Sequence, residues 1–212
     1  MKPFGLEQEE KFCHPLEKYY RFHSRIYDAT RWIFLFGRDR LIKTVAAFCH
    51  PARILEVGCG TGKNLVRLRE MFPGVDLTGL DLSQDMLEVA RKKLVGSSPP
   101  VDLLHRVYDQ PVAAAPRFDL LVFSYALSMF NPGWDQAIIT AHQELVPGGT
   151  IAVVDFHDSP LALFKQWMAL NHVRMEGHLL LELQSLFITQ VCELRRAYGG
   201  VWSYLLFIGK KA

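Results

Sequence analysis

Apolar residues follow two alternating patterns along the chain, short continuous runs and runs spaced three or four residues apart. Continuous apolar runs predict buried strands, and the wider spacing predicts helices with one apolar face. The predicted strands cover residues 53–57, 76–80, 101–107, 118–124 and 150–155. The predicted helices between them cover residues 63–72, 83–94 and 137–146. Strands that alternate with helices form a parallel sheet with helices on both faces, so the pattern predicts a doubly wound α/β fold.

The two ends of the chain extend this pattern. Residues 1–50 show helical spacing throughout, and residues 159–186 are also mostly helical. Residues 192–209 predict a β-hairpin that turns at Gly199-Gly200. We therefore expect a single domain over the whole chain. Its three parts are an N-terminal helical cap over 1–50, a core over 51–157, and substrate-side helices with a terminal hairpin over 158–212.

Composition and charge exclude several classes of protein. Half of the 212 residues are apolar and 22% are charged, which is typical of a globular domain. The net charge of +2 argues against nucleic acid as a partner. The chain shows neither an apolar signal segment nor a stretch of the ~20 apolar residues that cross a bilayer. Its four cysteines lack metal-binding or disulfide spacing, so we expect a cytoplasmic protein with reduced thiols and no metal site.

The first candidate binding site follows the first predicted strand. Glycines at positions 58, 60 and 62 permit a tight turn and let a ligand approach the backbone closely. Their spacing differs from the Gly-x-Gly-x-x-Gly pattern that seats a pyrophosphate. Glu56 precedes the first glycine, and a carboxylate there repels a phosphate but attracts a cationic amine.

Two further acids follow the next two predicted strands. Asp81 ends the second strand, where a carboxylate can accept hydrogen bonds from both hydroxyls of a ribose. Asp109 follows the third strand, where it can accept one from the exocyclic amine of a purine. The carboxyl ends of parallel strands meet at one edge of a sheet, so we expect the three acids at one site. An amine, a ribose and an adenine together describe S-adenosylmethionine.

Four motifs in order resemble those of class I S-adenosylmethionine-dependent methyltransferases, over about residues 50–157. They are Glu56 to Gly62, Gly79 to Ser83, Phe118 to Leu121 and Leu145 to Gly149. The resemblance implies a Rossmann-like sheet of seven strands, mostly parallel with an antiparallel last strand. It also implies S-adenosylmethionine as the cofactor.

The resemblance implies which residues hold the cofactor. Glu56 with the Gly58 and Gly60 backbone would hold the methionine part, within the loop that ends at Gly62. Asp81 would hold the ribose. The remaining implied contacts come from residues at the adenine, near the sulfonium and over the bound cofactor. They are Leu82 and Met86 beside the adenine, Asp109 at its amine, Ser124 and Tyr125 near the sulfonium and the acceptor, and Tyr27 closing over the cofactor.

Strings outside this core resemble the N-methyltransferases of bacterial betaine-lipid synthesis. They are Ile26 to Trp32, Leu35 to Arg38, Val154 to Ser159, Asn171 to Leu179 and Tyr198 to Tyr204. The resemblance implies that the amine of diacylglyceryl-homoserine is methylated up to three times, giving a trimethylated betaine lipid. It also implies a lipid substrate at a membrane surface and a companion enzyme that supplies the homoserine lipid.

Methylation of an amine requires a proton acceptor, because an ammonium has no lone pair with which to attack. His157 follows the fifth predicted strand and has the best position for this role. Further catalytic candidates are Tyr20, His23 and Tyr125, and other possible proton acceptors are Tyr27, Asp158, His172 and His178. Aromatic faces attract the quaternary ammonium of the final product. We expect such a wall from Tyr20, Phe22, Tyr27, Tyr125 and Trp167.

Charge is distributed unevenly and suggests how a lipid is reached. Residues 1–50 and 160–212 each carry a net charge of +3, whereas residues 51–159 carry −4. Cations interspersed with apolar residues favour docking on an anionic lipid surface. We expect the N-terminal part to dock through Arg25, Arg31, Arg38 and Arg40, with the apolar run 32–36 between them.

Two other interpretations stay open. One is a related methyltransferase with a different acceptor, such as a phospholipid ethanolamine, a quinone or a small soluble amine. The other is an S-adenosylmethionine-binding protein without catalysis. Glu56, Asp81 and Asp109 argue for cofactor binding in all three cases, so turnover is needed to separate them.

Overall fold

A computed structural model describes residues 34–212 of the chain. Strands within these residues are β1 (Arg53–Val57), β2 (Asp76–Asp81), β3 (Val101–His105), β4 (Phe118–Ser124), β5 (Leu145–Asp158), β6 (Ile188–Ala197) and β7 (Trp202–Lys210). Helices are α1 (Arg38–Ala46), α2 (Lys63–Met71), α3 (Gln84–Lys93), α4 (Trp134–Glu144), α5 (Ala162–Leu170) and α6 (His178–Leu186). Short 3₁₀ turns cover Leu127–Met129 and Tyr198–Gly200.

The strands form one seven-stranded sheet in the order β3-β2-β1-β4-β5-β7-β6. Strand β1 pairs in parallel with β2 on one side and β4 on the other. The last strand, β7, lies antiparallel between β5 and β6. These findings confirm the predicted fold, a doubly wound, mostly parallel sheet with an antiparallel last strand.

Alternate residues of the central strands pack on opposite faces of the sheet, as the pleat of a strand requires. In β4, Leu120 and Val122 belong to the core formed with α1, α2 and α3. Leu121 and Phe123 belong to the core formed with α4 and α6. Helices thus cover both faces and leave the carboxyl edge of the sheet as the place for a ligand.

The start of α3 shows how local sequence determines an element. Ser83 takes an extended conformation and its side chain accepts a hydrogen bond from the Met86 backbone, so it is the N-cap. Met86, Leu87 and Ala90 form the buried stripe of the helix. This predicted helix start, directly after Asp81, is confirmed.

Several predicted element boundaries are wrong by a few residues. The third strand ends at His105 instead of residue 107, since its parallel pairing with β2 stops where β2 ends at Asp81. The fourth helix starts earlier than residue 137, at Trp134, and ends at Glu144, because Leu145 is extended and pairs with Phe118. The fifth strand consequently starts at residue 145, not 150.

The chain ends also differ from the expectation. Residues 34–50 are not helical throughout, because α1 begins only after Gly37, a left-handed residue, and ends at Ala46. The rest of the expected cap, residues 1–33, lies outside the described residues. The strand expected from Cys192 begins at Ile188, because Ile188 already pairs with Lys210 of β7. Within residues 34–212 no helix is long and apolar enough to cross a membrane.

Candidate active site

The glycine-rich loop after β1 has an unusual backbone at all three predicted glycines. Gly58, Gly60 and Gly62 have φ angles of +71°, +53° and +74°, a region that side chains with a Cβ rarely adopt. A Cβ on Gly58 would lie 2.6 Å from the Cβ of Ala126, and one on Gly62 would lie 2.9 Å from the Cβ of Ala90. A Cβ on Gly60 would meet nothing within 4 Å. The space above Gly60 is therefore open to a ligand.

Glu56 is buried beneath this loop, at 1% relative exposure. Its Oε1 accepts a hydrogen bond of 2.8 Å from the Asn64 side chain, while its Oε2 has no partner within residues 34–212. Burial raises the pKa of Glu56 to about 8, against the opposing effects of the Asn64 hydrogen bond and the Arg38 charge. A cationic ligand strongly stabilises a buried carboxylate that has an unpaired oxygen, because it compensates the lost solvation of the charge. The site thus fits the amino group of a methionine moiety.

Asp81 connects the second strand to the glycine-rich loop. Its Oδ2 accepts a 2.7 Å hydrogen bond from the Gly60 backbone, and its Oδ1 accepts one of 2.9 Å from the Ser83 backbone. Burial raises the pKa of Asp81, and these backbone donors oppose the shift. Each carboxylate oxygen keeps a second lone pair for a hydroxyl donor. Nearby, Met86 is buried and Leu82 is partly exposed.

Asp109 stands apart from the other two acids in the structure. Its side chain is 57% exposed, and its Oδ1 lies 3.9 Å from the Arg106 guanidinium. It is four residues beyond β3, because that strand ends at His105. The structure joins Glu56 and Asp81 through the glycine-rich loop but shows no contact that brings Asp109 to them. Its role at an adenine amine stays a prediction.

Two candidates at the end of β4 are buried. Ser124 has a side-chain oxygen without a partner within residues 34–212. Tyr125 has a left-handed backbone (φ +57°), and its hydroxyl donates a 2.7 Å hydrogen bond to the Phe36 carbonyl. Burial raises the pKa of Tyr125. This favours a positioning role for Tyr125, which fastens the segment before α1 to the carboxyl edge, over proton acceptance.

Arg38, at the start of α1, belongs to the candidate site, although its sequence context suggested a lipid surface. Its guanidinium lies 5.8 Å from the centre of the Tyr125 ring, and its charge lowers the pKa of Glu56. Arg40 instead makes a bidentate ion pair with Glu193, in which its guanidinium nitrogens lie 2.8 and 3.1 Å from the two carboxylate oxygens. Docking of these arginines on a lipid surface stays a prediction. The other candidates of the N-terminal part lie outside the described residues. They are Tyr20, Phe22, His23, Arg25, Tyr27 and Arg31.

Known proteins resemble this chain over the region that contains Glu56 and Asp81. Residues 54–149 match the family model described as a methyltransferase domain. Demethylmenaquinone methyltransferase of Thermus thermophilus is 28% identical over 65% of this chain and 64% of its own length. Trans-aconitate 2-methyltransferase of Sinorhizobium fredii is 35% identical over 61% of this chain and 48% of its own length. Residues 54–149 are therefore similar to a methyltransferase domain.

A solved structure agrees with this at the level of the fold. The N-methyltransferase NodS from Bradyrhizobium japonicum, in complex with S-adenosylhomocysteine, has a TM-score of 0.68, with 18% identity over 82% of this chain and 85% of NodS. The predicted fold is thereby confirmed, and S-adenosylmethionine is the cofactor that the site is expected to hold. Because the chain spans less than two thirds of the length of the two curated relatives, its activity, acceptor and partners are matters of proposal.

His157, the predicted proton acceptor, lies near the end of β5. Its Nδ1 has no partner within residues 34–212, and its ring lies against the Gly177 backbone, where a Cβ would approach its Cε1 to 3.0 Å. Desolvation lowers the pKa of His157, and the nearby Asp158 opposes the shift. Asp158 itself accepts a 2.7 Å hydrogen bond from Lys165. His157 is therefore an uncharged base near neutral pH.

Two other histidines have different surroundings. His178 packs edge-on against Trp134 at 4.5 Å between ring centres, and neither ring nitrogen has a partner in the described part of the chain. Desolvation lowers the pKa of His178 to about 4. His172 is exposed, with a left-handed backbone. Across residues 34–212, no group of three histidine, cysteine or acidic side chains is arranged to hold a metal.

Asp155 is a buried acid in β5 that sequence reasoning did not select. Its Oδ2 accepts a hydrogen bond from the Ser128 backbone at 3.2 Å, and its Oδ1 accepts one from the Phe156 backbone at 2.8 Å. Burial raises the pKa of Asp155 to about 6. Through the hydrogen bond to Ser128, the Asp155 side chain fixes the turn that follows β4 at the carboxyl edge of the sheet. A carboxylate closing an otherwise apolar strand is the signal that could have indicated it.

Replacing Gly60 or Gly62 by alanine should separate cofactor binding from folding. Gly60→Ala places a methyl group in open space above the loop, so we expect S-adenosylhomocysteine to bind at least about tenfold more weakly, with a stability loss of only about 1 kcal/mol from the left-handed backbone. Gly62→Ala adds a collision with Ala90, so we expect a loss of about 2–4 kcal/mol. Calorimetric titration and thermal unfolding measure the two effects. Equal affinities for the wild type and Gly60→Ala would show that the cofactor lies elsewhere.

Proposed function

We propose that the protein is an S-adenosylmethionine-dependent N-methyltransferase that methylates the amine of diacylglyceryl-homoserine, up to three times, to a trimethylated betaine lipid. The observation that carries amine methylation is His157, an uncharged imidazole with an unpaired Nδ1 within residues 34–212. It lies near the end of β5, at the edge of the sheet where the loop of Glu56 also lies. The lipid acceptor rests on the resemblance of the strings around residues 26–38, 154–159 and 171–179.

The residues on the cofactor side bind and orient. Glu56 would hold the amino group of the methionine part, and Asp81 would hold the ribose while keeping the loop closed through Gly60. When bound, S-adenosylmethionine supplies a methyl group on a sulfonium, which is already activated for transfer. Much of the rate enhancement can therefore come from positioning the acceptor nitrogen in line with that carbon.

The proposed role of the residues on the acceptor side is to remove a proton from the amine. An alkyl amine is mostly protonated at neutral pH and must lose a proton before its nitrogen can attack. Nδ1 of His157 would accept that proton, and the negative charge of Asp158 favours the protonated ring. Because Asp158 is held by Lys165 instead of by the imidazole, the ring can return the proton to water between rounds. Methylation could then repeat on the same nitrogen.

A quinone acceptor is the second candidate, because a curated relative is named for demethylmenaquinone. Methylation at a ring carbon requires removal of a phenolic proton, and the same imidazole could accept it. A cofactor-binding protein without catalysis is the third candidate. We place the reaction on the cytoplasmic face of a membrane, with a companion enzyme that supplies the homoserine lipid.

The test is a mass-spectrometric assay of purified protein with S-adenosylmethionine and lipid vesicles. Parallel reactions contain diacylglyceryl-homoserine, phosphatidylethanolamine, a demethylated menaquinone or a soluble homoserine analogue. Mass gains of one, two and three methyl groups on the homoserine lipid alone are expected. Gains on another acceptor alone would move the assignment to that acceptor. No gain on any acceptor, with S-adenosylhomocysteine bound, would support the non-catalytic interpretation.

A further inference from the structure

Arg38, the first residue of α1, is held against the end of β4. Its guanidinium carbon lies 5.8 Å from the centre of the Tyr125 ring. The hydroxyl of the same tyrosine donates a 2.7 Å hydrogen bond to the Phe36 carbonyl, two residues before the arginine. Tyr125 thus contacts the side chain of Arg38 and also fastens the backbone that leads to it. The arginine therefore has a defined position at the carboxyl edge of the sheet.

This position is next to the glycine-rich loop. Ala126 follows Tyr125, and its Cβ lies only 2.6 Å from the point where a Cβ on Gly58 would stand. Glu56, two residues before Gly58, is buried at 1% relative exposure. The positive charge of Arg38 reaches this carboxyl group, because it opposes the rise in the pKa of Glu56. The loop after β1, the turn after β4 and the start of α1 therefore meet at one position.

Two opposite charges lie close together at this position, yet one carboxylate oxygen stays unpaired. Oε2 of Glu56 has no hydrogen-bond partner within residues 34–212, so Arg38 does not donate to that oxygen. A carboxylate and a guanidinium arranged in this way are complementary to a zwitterion, whose ammonium faces the carboxylate and whose carboxylate faces the guanidinium. The amino-acid end of a methionine moiety is such a zwitterion.

We propose that Arg38 binds the carboxylate of the methionine part of the cofactor, while Glu56 binds its ammonium. Both groups of an amino acid are attached to the same carbon, so the residues that hold them must lie close together. A guanidinium matches a carboxylate through two parallel N–H donors. Arg38 lies outside residues 54–149, so the match to the methyltransferase domain does not assign this contact. The inference rests on the proposed function for the cofactor alone and is independent of the acceptor.

The test measures binding of three ligands to the full chain by calorimetric titration. They are S-adenosylhomocysteine, an analogue of it without the carboxyl group, and methylthioadenosine, which lacks the whole amino-acid group. We expect the wild type to bind the decarboxylated analogue about 30-fold more weakly than S-adenosylhomocysteine, because a desolvated ion pair is lost. Arg38→Met should lose a similar factor for S-adenosylhomocysteine and should bind the other two ligands within about threefold of the wild type.

Arg40→Met is the matched control for Arg38→Met. Arg40 lies on the same helix, but its guanidinium pairs with Glu193 at 2.8 Å, so its replacement should leave all three affinities unchanged. Arg38→Lys keeps the charge and loses the two parallel donors, so it should bind S-adenosylhomocysteine with intermediate affinity. Amide hydrogen exchange gives a second readout, since exchange in α1 should slow with S-adenosylhomocysteine and not with methylthioadenosine.

Two outcomes would overturn the inference and leave the cofactor in place. One is a wild type that binds the decarboxylated analogue as tightly as S-adenosylhomocysteine, a result that needs no variant. The other is an Arg38→Met chain whose affinity falls equally for all three ligands, since Arg38 would then act on the structure alone. A wild type that binds none of the ligands would contradict both the inference and the proposed cofactor. The expected affinities, without methylation of any acceptor, would support the inference and contradict only the proposed catalysis.

Discussion

Glu56→Gln is expected to weaken the binding of S-adenosylhomocysteine about a hundredfold, because a desolvated carboxylate paired with an ammonium is a strong interaction to lose. The substitution keeps the volume and the acceptor oxygen for Asn64, but it replaces the unpaired Oε2 by an amide that donates. The cofactor-free variant should be at least as stable as the wild type near neutral pH, since folding no longer has to place a proton on a buried carboxyl group. Calorimetric titration and chemical unfolding measure these two effects.

The pH dependence of this binding follows from the raised pKa of Glu56. In the cofactor-free protein that pKa is about 8, whereas an unfolded glutamate titrates near 4.3. The folded state therefore keeps a proton that the unfolded state loses, and this group makes the protein less stable as pH rises from about 4.3 to 8. Binding of an ammonium favours the carboxylate, so it should release up to one proton at pH 7. Titrations in buffers of different ionisation enthalpy count that proton.

Glu144→Gln provides a matched control for Glu56→Gln. Glu144 is also 1% exposed, but it lies at the end of α4, where it accepts hydrogen bonds from the Tyr108 hydroxyl and the Val112 backbone. Its replacement should reduce stability and leave cofactor affinity unchanged. If Glu56→Gln bound S-adenosylhomocysteine as tightly as the wild type, or released the same proton, Glu56 would not hold the amino group.

The predictable part of the site is the part encoded within one short segment. The glycines around Gly60 and the acid before them follow a strand of continuous apolar residues, so their position at the carboxyl edge follows from local pattern alone. Ser83 was recognisable as an N-cap because capping depends on neighbours three residues away. Residues of this kind lie where the sequence indicates.

The positions of the other site residues depend on contacts between segments that are distant in sequence. Arg38 lies 18 residues before Glu56 in sequence, and nothing in its own segment shows that α1 brings it to that carboxylate. Asp109 looked equivalent to Asp81, but a strand two residues shorter than expected leaves it exposed. The exposure of Leu163 and Leu170 on α5 is likewise a tertiary property, because the same spacing could have formed a buried stripe.

His157→Gln is expected to lower kcat for an amine acceptor about 10²- to 10³-fold while leaving cofactor affinity unchanged, because it removes the proton acceptor and no cofactor contact. Desolvation lowers the pKa of His157 below its ordinary value. The wild type should therefore stay active as pH falls towards 6.5 and lose activity only once the ring is protonated. The variant should lack that acidic limb and instead gain rate steadily with pH, as the fraction of free amine rises.

His142→Gln is the matched control, since His142 is also partly buried, has a pKa lowered by desolvation, and packs edge-on against Phe187 at 5.3 Å. It lies in the last turn of α4, at the edge of the sheet opposite the site, so its replacement should leave kcat and the pH profile unchanged. A His157→Gln enzyme with more than about half the wild-type kcat and the same pH profile would exclude His157 as the proton acceptor. Retained activity that still fell with acid would direct attention to Asp155, a buried acid two residues from His157 whose pKa is about 6.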